Sequence, residues 1–243
     1  MRGAPDIRYG DAMKRTLKAF VVVMAVCLGA QQRSASASAA PEVQTRESQA
    51  AMTPAAALER LKAGNARFVS NATTKRDWSA KVAATASGQF PFAAILGCMD
   101  SRAPVEIIFD QGIGDVFAVR VAGNVVNEDE LGSLEYAVSV GTKLIVVLGH
   151  TSCGAVKGAI DGAQLGNLTG LLAKVHPAIE EAQCRDAKDA ACVDKVAEKN
   201  VLRSAKEIRD KSPYLAKALD EGKIRLVGAM YDLSTGKVTF LEK

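Results

Sequence analysis

The chain has 243 residues, 48% hydrophobic and 5% aromatic, with 31 Lys and Arg against 27 Asp and Glu. Residues 1–39 hold six of the bases and two of the acids, which is the whole formal charge of +4, so the remaining 204 residues are neutral overall. That balance excludes a strongly basic nucleic-acid-binding face, and about 200 residues suffice for one well-filled core rather than two large domains.

Met13-Lys14-Arg15-Thr16-Leu17-Lys18 is a basic start, Ala19 to Ala30 is mostly apolar, and "SASASAA" offers Ala-x-Ala sites ending at Ala37 or Ala39. This order predicts a secretory signal peptide over residues 1–39, started at Met13, and hence a periplasmic or secreted protein. The apolar run is shorter than the roughly 20 residues that span a bilayer, so no stable membrane span is expected in the mature protein. Val26 is bulky where a lipidation site at Cys27 would favour a small residue, which speaks against a lipoprotein.

Residues 40–52 are polar and irregular and read as a flexible lead-in to one domain over 53–243. Thr53-Pro54 puts a capping hydroxyl before a proline at the first helical position, and Gly64 after "AAALERLKA" reads as a stop, so a short helix is expected between them. Phe92 to Gly97, Asp115 to Val121 and Lys143 to Gly149 are short runs rich in apolar residues, separated by helical spacing such as "ELGSLEYAVSV". Strands alternating with helices predict an α/β fold, a central and mostly parallel sheet flanked by helices. Residues 174–200 are charged and Ala-rich, read as exposed helix and loop. At the end, "KIRLVGAMYDLSTGKVTFLEK" predicts a C-terminal hairpin about Ser234-Thr235-Gly236.

Two of the strands end in groups that are costly to bury. "AAILGCMDSRAP" finishes with Cys98, Asp100 and Arg102, and "LIVVLGHTSCG" with His150 and Cys153. In a parallel sheet the carboxyl ends of strands open on the crevice where ligands bind. Two thiols and one imidazole gathered there suit Zn2+ in tetrahedral N and S coordination.

"CMDSR", "GDVFAVRVAGN", "SLEYAV" and "GHTSCG" together resemble the beta-class carbonic anhydrases, and the likeness runs from "GNARF" at Gly64 to "YDLSTG" at Tyr231. The resemblance implies zinc held by Cys98, His150 and Cys153, with the fourth position open to water or closed by Asp100. It also implies a homodimer or higher homo-oligomer, with carbon dioxide and bicarbonate as small-molecule partners. The reaction implied is reversible hydration of carbon dioxide to bicarbonate and a proton, by attack of a hydroxide on the metal. Asp100 would orient that hydroxide, and Arg102 would keep Asp100 ionised through a charge-assisted pair. By position in the family pattern, Gln89 would donate to the reacting oxygen across a dimer, Gly154 would offer its N–H to substrate, and Phe117, Ala122 and Tyr136 would line an apolar pocket. Asn124 reads as structural. Ile95 stands where members with an inhibitory bicarbonate site carry a tryptophan, and the single Trp78 lies far upstream.

Two other functions compete: a hydrolase of carbon disulfide or carbonyl sulfide on the same metal set, and a noncatalytic zinc or redox module built on Cys98 and Cys153. His176 reads as a surface residue. Cys184 and Cys192 would stand about 12 Å apart on a straight helix, too far to bridge. A loop through Arg185 to Ala190 could join them, so both bridge and free thiols are open.

Overall fold

The computed structural model describes residues 43–241; the leader expected over residues 1–39, with its start at Met13, lies outside them. The helices are α1 (Arg46–Ala51), α2 (Pro54–Val69), α3 (Trp78–Thr85), α4 (Val105–Ile108), α5 (Glu128–Ser139), α6 (Gly154–Ile160), α7 (Gly166–Ala173), α8 (His176–Ala182), α9 (Ala190–Lys211) and α10 (Pro213–Asp220). The strands are β1 (Ala93–Gly97), β2 (Val116–Arg120), β3 (Leu144–His150), β4 (Arg225–Tyr231) and β5 (Val238–Leu241), with a 3-10 turn at Ala122–Asn124. They form one sheet in the order β2-β1-β3-β4-β5, parallel except for β5, which closes the expected hairpin against β4.

The central strands β1 and β3 are buried along their whole length, which is why they read as unbroken apolar runs. Alternate side chains serve opposite layers. Ile95, Val146 and Leu148 pack with Leu58 and Leu61 of α2 and Ile108 of α4. Ala94, Leu96, Ile145 and Val147 face Leu134 of α5, Val201 and Ile208 of α9, and Leu215 of α10.

Three local expectations are corrected. Gly64 does not stop α2, which continues to Val69; a Cβ there would lie 1.9 Å from the Phe109 carbonyl oxygen, so glycine is needed where α2 crosses the end of α4. The lead-in is not irregular throughout: Thr45 caps α1, and buried Gln49 donates Nε2–H to the Pro91 carbonyl at 2.8 Å. Residues 174–200 are not simply exposed, because Val193, Val196, Ala197 and Val201 recur at helical spacing and bury one face of α9.

Between α8 and α9 the chain turns at Gln183, whose φ is 51°. The turn brings the Cα atoms of Cys184 and Cys192 to 5.5 Å, and the two are joined in a disulfide.

Candidate metal centre and its surroundings

Gly97 of β1 lies in register with Leu148 of β3. Cys98 therefore leaves β1 beside the last turn of pleat that places His150 at the end of β3. The chain leaves β1 through α4 towards β2 and leaves β3 in the opposite direction towards β4, so the crevice lies at the switch point of the topology. Cys153 follows after two residues of turn and precedes α6.

The ligand atoms of Cys98, His150 and Cys153 all lie within 4.8 Å of one another, and all three residues are buried. His150 Nδ1 is 2.9 Å from the Thr151 carbonyl oxygen. A proton on Nδ1 donated to that carbonyl leaves Nε2 with its lone pair, and Nε2 is buried with no hydrogen-bond partner. An orphaned imidazole nitrogen facing two thiols fits a thiophilic divalent cation.

The three groups compete for protons. The Cys153 thiol beside it is the largest cause of a Cys98 pKa lowered to about 4, with burial opposing and the His150 imidazole and the Gly123 and Asp100 N–H groups assisting. Cys153 is pushed up by the Cys98 sulfur and by burial, against N–H groups of Val156 and Ala155 in the first turn of α6. Burial disfavours the His150 cation, but the Cys98 sulfur, the Thr151 carbonyl and the Asp100 charge together outweigh it and raise the pKa. Two thiols and an imidazole that hold protons against one another in one buried set are a setting a cation would complete, by displacing those protons.

Asp100 and Arg102 form a two-pronged pair, Nε to Oδ1 at 3.0 Å and Nη2 to Oδ2 at 2.7 Å, and the Arg102 backbone N–H also reaches Oδ1 at 2.9 Å. The Arg102 hydrogen bonds hold the Asp100 carboxyl far below the usual carboxylate range, against a smaller effect of burial. Asp100 Oδ2 stands 3.8 Å from His150 Nε2, so the carboxylate borders the cluster while occupied by Arg102.

The other sequence-predicted residues divide. Ala122 opens the 3-10 turn whose Gly123 N–H donates to Cys98 Sγ at 3.3 Å, and Gly154 opens α6 directly after Cys153. Phe117 and Tyr136 meet each other edge to face with ring centres 6.0 Å apart. Phe117 is in register with Ala94, about 13 Å of strand before Cys98, and Tyr136 is 54% exposed. Gln89 is exposed on the approach to β1, at the far end of that strand from Cys98. A single chain thus does not bring Gln89, Phe117 or Tyr136 to the cluster. Asn124 fills a structural place, with φ 44° and its carbonyl accepting from Ser204 Oγ at 3.0 Å. Ile95 is buried in β1, Trp78 is exposed on α3, and His176 is exposed at the start of α8.

Arg120 was missed. Its Nε donates to the Cys98 carbonyl at 3.1 Å and its Nη2 to the Asp100 carbonyl at 2.6 Å, so it ties down the backbone of the ligand and of the carboxylate together. A basic residue ending "VFAVR", a strand in register with β1, was the available signal. Asp194, Asn200 and Ser204 of α9 were missed too, and no local motif marks them.

The carbonic anhydrase family pattern matches residues 93–238. Carbonic anhydrase 2 of Mycobacterium tuberculosis is 40% identical over 191 residues, covering 76% of this chain and 91% of that protein. A tetrameric beta-carbonic anhydrase from Sordaria macrospora superposes with TM-score 0.60 at 30% identity, over 65% of this chain and 84% of that one. The beta-carbonic anhydrase CafA of Aspergillus fumigatus gives 0.61 at 29% identity, over 77% and 90%. The chain belongs to the beta-class carbonic anhydrase family, and it is an enzyme of that class.

Proposed function

We propose that this enzyme hydrates carbon dioxide reversibly with zinc held by Cys98, His150 and Cys153. The observation that carries the reading is the buried, unpartnered His150 Nε2 between two thiols, bordered by a carboxylate that is kept ionised. Zinc held there would supply a Lewis acid that makes water a nucleophile, the two thiolates setting that deprotonation at higher pH than three imidazoles would.

The chain's own residues do the rest. Asp100 accepts a hydrogen bond from the attacking oxygen and so turns a lone pair towards the carbon, an orientation effect. Arg102 fixes the Asp100 carboxylate and keeps it from taking up the proton. Arg120 and the Gly123 N–H hold the Cys98 backbone and sulfur in place. Ala122 presents an apolar contact at the mouth, and Gly154 offers a backbone N–H at the start of α6.

The enzyme works as a homodimer or larger homo-oligomer, in keeping with the tetrameric Sordaria relative. In it a second copy supplies Gln89, Phe117 and Tyr136, which a single chain leaves exposed or distant from the cluster. Residues 1–39 direct export and are removed, placing the enzyme in the periplasm or outside the cell. No helix among the described residues is long and apolar enough to cross a membrane.

The test is stopped-flow hydration of carbon dioxide on protein of known metal content. One zinc per chain with turnover that a chelator abolishes is expected. Zinc without turnover would favour a noncatalytic module, and turnover of carbonyl sulfide alone would replace carbon dioxide as the substrate.

A further inference from the structure

Among the described residues, α9 packs against both halves of the ligand set. Asp194, Ala197, Asn200, Val201 and Ser204 recur at three- and four-residue intervals, so they share one face of the helix. Asp194 Oδ1 accepts the Ser152 N–H at 2.7 Å. Asn200 Nδ2 donates to the Gly123 carbonyl at 2.7 Å, and Ser204 Oγ to the Asn124 carbonyl. Both bonds are buried.

These bonds fall on backbone that would not hold its shape alone. Ser152, between His150 and Cys153, has φ 52°, and Asn124 beside Gly123 has φ 44°. A non-glycine residue in the left-handed region persists when its surroundings over-determine it. Ser152 is held from α9 by Asp194, while its neighbour Thr151 is held by the β4–β5 corner, with its N–H on the Tyr231 carbonyl and its Oγ1 accepting from the Leu233 N–H. The Ala122–Asn124 turn, which aims the Gly123 N–H at Cys98 Sγ, is held from α9 by Asn200 and Ser204.

We propose that Asp194 and Asn200 are positioning residues for the metal centre: Asp194 sets the turn that spaces His150 from Cys153, and Asn200 sets the turn that donates to Cys98. Both turns are thereby referred to a single rigid helix, and the three ligand atoms meet in one geometry. The inference rests on the zinc reading above and assigns neither residue a contact with metal or substrate.

The test uses the full mature chain and four variants. Zinc affinity is measured by competition with a chromophoric chelator, and ligand geometry by the absorption bands of the cobalt(II)-substituted protein. Asp194→Ala and Asn200→Leu should each weaken zinc binding by about 10- to 100-fold and shift the cobalt bands. Asp194→Asn keeps the acceptor oxygen and should stay within about threefold of the parent. Ile208→Val, on the same helix but in the core beyond the turns, should lower stability and leave affinity and spectrum unchanged.

Folded Asp194→Ala with parental affinity and spectrum would overturn the proposal, as would an affinity loss in Ile208→Val equal to that in Asp194→Ala. Should Asn200→Leu fail to fold, the two Asp194 variants and Ile208→Val decide it. A parent that binds no zinc would overturn the zinc reading and this inference with it; a parent that binds zinc separates the two.

Discussion

Gly149, the residue before His150, can be used to test how closely α9 is fitted to the end of β3. A Cβ there would lie 2.5 Å from Val201 Cγ2 and 2.9 Å from Met230 Sδ. The thioether can swing aside, but Val201 is fully buried on α9 and its branched side chain has little rotamer freedom. Relief then requires the helix or the strand to move, and overpacking of this kind costs about 1–3 kcal/mol. Val201→Ala alone removes two buried methyl groups and leaves a void, at about 2–3 kcal/mol. With both changes the new Cβ occupies the vacated space, so the double variant should be about as stable as Val201→Ala, a coupling of about 1–3 kcal/mol. Urea unfolding of the four proteins measures it, and zinc affinity should fall in Gly149→Ala and recover in the double variant. Additivity within about 0.5 kcal/mol, or a Gly149→Ala protein as stable as the parent, would refute this account of the contact.

Asp110 is buried, which disfavours its charge, but hydrogen bonds from Arg76, Arg67 and Thr74 outweigh burial and hold its pKa at about 2. Against about 3.9 in the unfolded chain this contributes about 2–3 kcal/mol, present above about pH 4 and lost as pH falls through 2. Asp110→Asn should therefore lose at least that much at neutral pH, with the gap to the parent closing from about pH 4 downward in denaturation measured across pH; a constant gap would contradict it. Replacing Cys184 and Cys192 by serine opens a short loop, with a sequence separation of 8, and should cost about 2–3 kcal/mol by chain entropy. Thiol counting on denatured, unreduced and metal-free chain lacking residues 1–39 should find two free thiols, and four would exclude the bridge. Arg102→Ala strips Asp100 of its two side-chain donors and should lower hydration activity by about 10- to 100-fold at unchanged zinc content; parental activity would defeat the assigned role.

What the sequence made legible was carried by contrast. Cys98, Asp100, His150 and Cys153 stood out because ionisable side chains cluster where two buried apolar runs end, a place where charge is otherwise expensive. The hairpin at Ser234-Thr235-Gly236 stood out because small and polar residues interrupted two strand-like runs. Where the deciding partner lay far away in the chain, the reading failed. Gly64 has the local look of a helix stop, and only the Phe109 carbonyl, brought close by folding, explains it. The apolar stripe of α9 was masked by the charged residues on its other face, so composition outweighed period. Asp194 and Asn200 resemble any polar helix residue until the turns they hold are in view. Gln49, buried against Pro91, gave a polar look to a segment that is tied to the fold.

The cluster is attached to the chain with unequal firmness. Cys98 and His150 extend two neighbouring strands at the centre of the sheet, both buried along their whole length, and core strands of that kind open at free energies near that of global unfolding. Cys153 follows a turn with a left-handed Ser152, held by Asp194 of α9 and, through Thr151, by the β4–β5 corner, and a turn tied by a few such bonds opens locally at lower free energy than a core strand. The three donors thus belong to two tiers of protection. A cation joining them would lend the turn part of the sheet's protection, and its own escape would begin on the Cys153 side, at a rate governed by the opening of the turn.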